Sequence, residues 1–200
     1  MFGATKVIQL VPSPYATKTD FCRIFKSDMK GLYLLSFLLT ADRTIAEQCF
    51  VAGLHTAQNG NQVFREWAES WARRAIVQNA IRMVRPLKAT NDKGSAPDYG
   101  ASVALTRRAE IAAVVGLRPF ERFAFVMSVL EHYSDQECSL LLGCTRGDVA
   151  AARARALERL GKSAELQRRP VSTGSNQKIR RDNSISALQL TAAPSLAASA

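Results

Sequence analysis

The chain has 200 residues, 47% of them hydrophobic, and a formal net charge of +10. That length admits one ordinary domain or two small helical ones, and that share of apolar residues excludes a chain that is disordered throughout. The positive charge points to an anionic partner, with nucleic acid ahead of an acidic protein surface or an anionic membrane, although residues 162–200 alone hold six Lys/Arg against two acids.

From the N-terminus, residues 1–20 lack periodicity and read as a loose arm. Val7–Val11 is too short for a signal-peptide core and is followed by Pro12 and Pro14. Phe21–Leu39 then reads as one apolar central helix that stops near Thr40-Ala41-Asp42-Arg43. Its densest run, Leu32–Leu39, is far short of a membrane span. A second helix is expected from Thr44 to about Ala57, with Thr44 and Glu47 spaced as a capping box. Gln58-Asn59-Gly60-Asn61 reads as a turn, and a third helix over Val63–Val84 is ended by Pro86. Residues 21–85 form the first helical block.

Residues 86–104 collect Pro, Gly, Ser, Asn and Asp and read as a flexible linker. The second block, 105–161, opens with a helix near Thr106–Val115, broken by Gly116. Pro119 then opens a helix through about His132. Ser134 and Glu137 form a capping box for a short helix ending at Gly143, and Thr145 caps a last helix over Arg146–Leu160. A helix, a tight turn and a second helix at this spacing make a helix-turn-helix candidate. Residues 162–200, with their Ser, Ala and Gln bias, read as a disordered tail. The fold class expected is therefore all-α, with two small helical domains joined by a flexible linker.

Four cysteines, Cys22, Cys49, Cys138 and Cys144, form no CxxC pair, and His55 and His132 complete no zinc spacing. They read as small hydrophobes in a reducing, cytoplasmic compartment, with no cofactor or metal expected. No nucleophile–base pair or phosphate loop stands out, so an enzyme with a small-molecule substrate is the weakest reading; Glu131 and His132 read as ordinary helix-end residues.

Two helices carry the functional signal. On the third, Ala75, Ile76, Asn79, Ala80, Met83 and Val84 gather on a core-facing side at helical period. Trp67, Trp71, Arg74, Gln78, Arg82 and Arg85 gather on the other. Rings interleaved with guanidinium groups suit an unpaired nucleic-acid strand, because bases stack on rings and arginines neutralise phosphates. The competing reading packs both tryptophans against neighbouring helices. On the last helix, Val149, Ala152, Ala156 and Leu160 form a buried stripe, leaving Arg146, Arg153, Arg155 and Arg159 outside.

Read together, the blocks resemble a sigma factor of the extracytoplasmic-function type. Leu117-Arg118-Pro119-Phe120-Glu121-Arg122 is similar to the Leu-Pro-x-x-Glu-Arg opening of sigma region four. Tyr133-Ser134, Leu142-Gly143-Cys144-Thr145, Val149, Arg155-Ala156 and Leu160 fall where that region's helix-turn-helix has such residues. Leu32-Tyr33, Leu38–Arg43, Ala46-Glu47-Gln48 and Trp71–Arg85 resemble region two. The resemblance implies core RNA polymerase and promoter DNA as partners, and no catalysis by this chain. It implies that the helix around Glu47 faces polymerase. Arg74, Gln78, Arg82 and Arg85 would contact the −10 strand, and Arg146, Arg153 and Arg155 the −35 duplex. Two departures stand out. The second helix is poor in acids beyond Glu47, and Ala150 and Ala152 stand where the family has cations. They motivate an alternative, a sigma-like protein that binds polymerase or an anti-sigma factor without selecting promoters. A stand-alone helix-turn-helix regulator is the third reading.

Overall fold

The computed structural model describes residues 13–87 and 109–168. Over them the chain is all-helical, with one isolated bridge between Tyr15 and Phe64. Among the described residues no helix is long and apolar enough to cross a membrane. Most of the linker and most of the C-terminal tail lie outside the described residues.

Helix α1, Lys18–Ser27, opens on a capping box in which Thr17 and Asp20 serve each other's backbone donors. The apolar run expected as one helix is two. Asp28, at φ −108° and ψ 33°, separates α1 from α2, Met29–Thr40. A short polar side chain that competes for backbone groups breaks helices readily at such a point. Ala41, left-handed at φ 59°, ends α2, and its N–H donates to the Phe37 carbonyl. That early stop makes Asp42 the N-cap of α3, Arg43–Asn59, where its Oδ1 accepts the Ile45 N–H at 2.8 Å. The expected Thr44–Glu47 box is therefore not the cap.

After a 3-10 turn at Arg65–Trp67, α4 covers Ala68–Val84. It lies close against α3 because Gly53 has no side chain there. A Cβ at Gly53 would run into the Ile76 Cδ1, whose side chain is fully buried. The second block holds α5, Ala109–Val115, and α6, Pro119–Phe125, which widens into a π turn over Val126–Leu130. It closes with α7, Asp135–Leu142, and α8, Arg146–Arg168. Helix α8 runs past Gly161, where the sequence suggested an end. Gly161 faces open space, and the flanking Glu158 and Lys162 pair at 2.7 Å across that turn.

The two blocks are distinct in sequence yet share one core. Phe21, Leu32, Leu39 and Ile76 from the first are continuous with Phe123, Met127, Val149 and Ala156 from the second. Burying each of the larger of these side chains, from valine to phenylalanine, stabilises the fold by about 1.5–3 kcal/mol. The described residues form one compact unit, with α2 packed on α5 and α6 and α4 meeting α7. The Glu-Arg pair of the Leu-Arg-Pro-Phe-Glu-Arg motif helps hold it. Arg122 is wholly buried, and its guanidinium donates to the carbonyls of Leu39 at 3.2 Å and of Val115 and Leu117 at 3.1 Å. A cation against the last turn of α2 also suits that helix's negative end.

Candidate nucleic-acid interface

The face of α4 begins with a ladder of rings. Ala16 N–H donates to the Val63 carbonyl and Arg65 N–H to that of Pro14, pinning the arm beside the entry to α4. Tyr15 stacks on Phe64 at 5.0 Å, and Phe64 meets Trp67 edge-on at 5.5 Å. The three rings are 36%, 41% and 58% exposed, an uncommon amount of aromatic surface to leave in water. Tyr15 lies in the arm outside any helix. Phe64, expected inside a third helix beginning at Val63, instead precedes the 3-10 turn, and the α-helix starts only at Ala68. The clustering of Phe64 near Trp67 was the available signal.

Trp71 is half-buried and packs against the core, with its Nε1 buried and lacking a hydrogen-bond partner among the described residues. Its ring edge lies by Gly60, where a Cβ would sit 3.8 Å from the indole nitrogen. The two tryptophans thus divide between the readings the sequence left open. Trp67 is a surface ring, and Trp71 is largely a packing one.

Beyond them, Arg74 and Gln78 are half-exposed, and Arg82 and Arg85 are exposed. Arg82 Nη2 donates to the Asn79 Oδ1 at 2.8 Å, while the buried Asn79 amide donates to Thr56 Oγ1 and the Ala75 carbonyl. A fixed amide therefore aims Arg82 outward. Arg85 is the left-handed C-cap of α4 at φ 48°, one residue past the helix. Met83, expected on the core side, is 39% exposed, whereas Ala75, Ile76, Asn79 and Ala80 are buried as the periodicity required.

Trp67, Trp71, Arg74 and Gln78 form one wall of an open cleft of about 670 Å³, and Leu130, Glu131, Tyr133 and Glu137 of the second block line the other. Arg73, which the sequence did not single out, bridges the walls. Its Nε and Nη2 donate to the Glu131 carboxylate at 2.9 and 3.2 Å, and its Nη1 to Asp28 at 3.2 Å. Arg74 lies 4.0 Å from Glu137. A partner 58 residues away leaves no local trace in sequence.

The helix-turn-helix geometry is present. Ser134 and Glu137 cap α7 reciprocally, Gly143 turns at φ 64°, and Thr145 and Asp148 exchange side-chain bonds at the start of α8. Val149, Ala152 and Ala156 are fully buried, with Leu160 half-buried. Ala152 is therefore a core position, and a cation there could not reach DNA. Four of the α8 arginines are engaged within the chain. Arg146 donates to Gln136 at 2.9 Å, Arg153 makes a two-pronged pair with Asp135, and Arg155 and Arg159 share Glu121 at 3.1 and 3.3 Å. The Glu121 side chain is 5% exposed, so it is a buried anchor for α8.

Glu47 is exposed and pairs with Arg43 at 3.4 Å on its own helix, an arrangement worth under about 1 kcal/mol. It lines a shallow groove with Val51, His55, Asn79 and Arg82. Burial pushes the Cys49 and Cys138 thiols up to about 11, so both stay protonated at neutral pH. Cys22, expected to behave as a small hydrophobe, is exposed and accepts from Gln58. No protein-family model matches the chain, and no curated protein sequence matches it.

Proposed function

We propose that this protein is a sigma-type factor that binds core RNA polymerase and engages an unpaired promoter strand through α4. The observation that carries the reading is the run of Trp67, Arg74, Gln78, Arg82 and Arg85 along one exposed face, fixed beside a helix-turn-helix. Stacking on an exposed ring and charge-assisted bonds from arginine to phosphate are the two interactions an unpaired strand offers. Glu47 and the apolar groove beside it are the surface for polymerase. The chain catalyses nothing in this reading; it directs where polymerase starts, inside the cytoplasm.

A second reading has its own support. Arg146, Arg153 and Arg155 each have an intramolecular partner, and α4 and α8 belong to one compact unit. Both features favour a sigma-like protein that holds polymerase, or an anti-sigma factor, without reading a distant duplex element. Reconstitution of the full chain with core polymerase, followed by run-off transcription on genomic fragments, separates them. Discrete new start sites, weakened by Arg82→Ala, support the first. Stable association without start sites supports the second, and no association overturns both.

A further inference from the structure

The wall facing α4 is unusual backbone. The α6 helix widens over Val126–Leu130 so that Glu131 N–H reaches the Val126 carbonyl and Tyr133 N–H that of Met127. Between them His132 sits at φ 58°, a left-handed conformation that non-glycine residues adopt rarely and at a cost. A π widening and a left-handed residue in sequence are features that surrounding contacts must hold in place. Their result is to present Glu131, with a side chain only 7% exposed, to Arg73, and to start α7 with Glu137 beside Arg74.

We propose that the 130–137 turn is an intramolecular latch, in which the Glu131 and Glu137 carboxylates stand on α4 where the phosphates of an unpaired strand would otherwise lie. The inference rests on the nucleic-acid reading of α4 and adds its regulation. A carboxylate and a phosphate oxygen make the same charge-assisted bond to a guanidinium, so strand and turn compete for Arg73 and Arg74. The turn also forms the far wall of the cleft into which Trp67 and Trp71 face, so its departure widens access to both rings.

The contact between the blocks divides into a permanent part and a releasable one. Arg122 is wholly buried against three carbonyls and must stay. The latch is made of side-chain ion pairs whose arginines remain 38% and 36% exposed, so water and competing anions reach them, together with Tyr133, whose ring packs partly buried against the core. Releasing the turn from α4 exposes part of Tyr133 but leaves the Arg122 bonds that tie α2 to α5 and α6 in place.

The test measures binding of the full chain to a fluorescein-labelled 12-nucleotide single-stranded DNA by anisotropy at low salt. Hydrogen exchange of residues 129–137 is followed in parallel. The Glu131→Gln/Glu137→Gln double variant is expected to bind at least fivefold more tightly, with faster exchange in the turn, and wild type to show the same faster exchange when DNA is added. Removing two negative charges anywhere helps an anion bind, so Glu110→Gln/Glu158→Gln, on α5 and α8 and outside the lining of the cleft, is the control. An equal gain in the control overturns the latch. So does unchanged affinity in the double variant, or unchanged exchange in the turn. In those outcomes an affinity that still falls with Arg82→Ala leaves the reading of α4 standing. If neither wild type nor the double variant binds the oligonucleotide, the reading of α4 and the latch fall together.

Discussion

Helix α4 carries three arginines and a fourth at its C-cap, α8 carries five, and the two helices use theirs in opposite ways. On α8, Arg153 is forked onto Asp135, and Arg155 and Arg159 converge on the buried Glu121. These guanidinium groups are fasteners that hold the last helix to α6 and α7. On α4, Arg82 meets only the neutral Asn79 amide among the described residues, and Arg85 projects from a left-handed cap. Arg73 and Arg74 lie between these cases, since their carboxylate partners come from a turn in the other block. An exposed arginine is available to an anion only when no internal carboxylate already satisfies it. The count of arginines on a helix face is therefore a poor guide to its affinity for nucleic acid.

The largest effect is expected where one cation holds both blocks. Arg122→Met keeps volume but leaves the Leu39, Val115 and Leu117 carbonyls without their shared donor. Buried groups stripped of a partner cost about 1–3 kcal/mol each, so a loss of about 3 kcal/mol is expected in urea unfolding. A single transition should persist if the blocks are one cooperative unit; two transitions would show that the shared core is not binding them. Next is Glu121→Gln, which removes the charge that Arg155 and Arg159 share. Both arginines are about half exposed, so solvent screening lowers the cost of a broken buried pair to about 2 kcal/mol.

The comparison is sharpened most directly by Arg82→Ala beside Arg153→Ala. The first should weaken binding of an unpaired strand about tenfold, or about 1.4 kcal/mol, and reduce its salt slope by about 0.7. It should leave the unfolding midpoint nearly unchanged. The second should change binding less than about twofold and lower stability by about 1 kcal/mol. If Arg153→Ala weakens binding as much as Arg82→Ala does, α8 is a nucleic-acid helix and its pairs are incidental.

Helix existence and the core stripe of α8 were legible in the sequence because period, caps and punctuating glycines are local signals. Val149, Ala152 and Ala156 follow from spacing alone, as do the Ser134–Glu137 box and Gly143. The break at Asp28 was not legible, because the apolar period continues through it. Nor was the end of α8, because an exposed glycine bridged by Glu158 and Lys162 does not stop a helix. At the candidate site, Arg82 was readable as an exposed cation, whereas the sequence left open whether Trp67 faces solvent or packs against a neighbouring helix. What the sequence could not supply was which arginines are occupied. Glu131 with Arg73, and Glu121 with Arg155, join residues far apart in the chain, and no periodicity connects them.

The smallest expected effect compares one capping box in each block. The Asp20 carboxylate is held below the usual range by bonds from the Thr17 backbone and hydroxyl, with the nearby Arg65 and Arg23 adding to it. Glu137 is held down in the same way by the Ser134 backbone and hydroxyl, with Arg74 as its nearby cation. A carboxyl depressed in the folded state contributes stability that is fully present above its unfolded value, near 4. That stability is lost as pH falls through the folded value. Both caps therefore steepen the loss of stability below about pH 4 and leave neutral pH on the plateau. Thr17→Ala and Ser134→Ala should each cost about 1 kcal/mol at neutral pH, and each should flatten the acid limb of a denaturant-midpoint-against-pH curve. The α1 cap has two arginines near it and the α7 cap one, so Thr17→Ala should leave more residual acid dependence than Ser134→Ala. Equal residual slopes would mean that the arginines contribute little and that the hydroxyl and backbone bonds set both carboxyls.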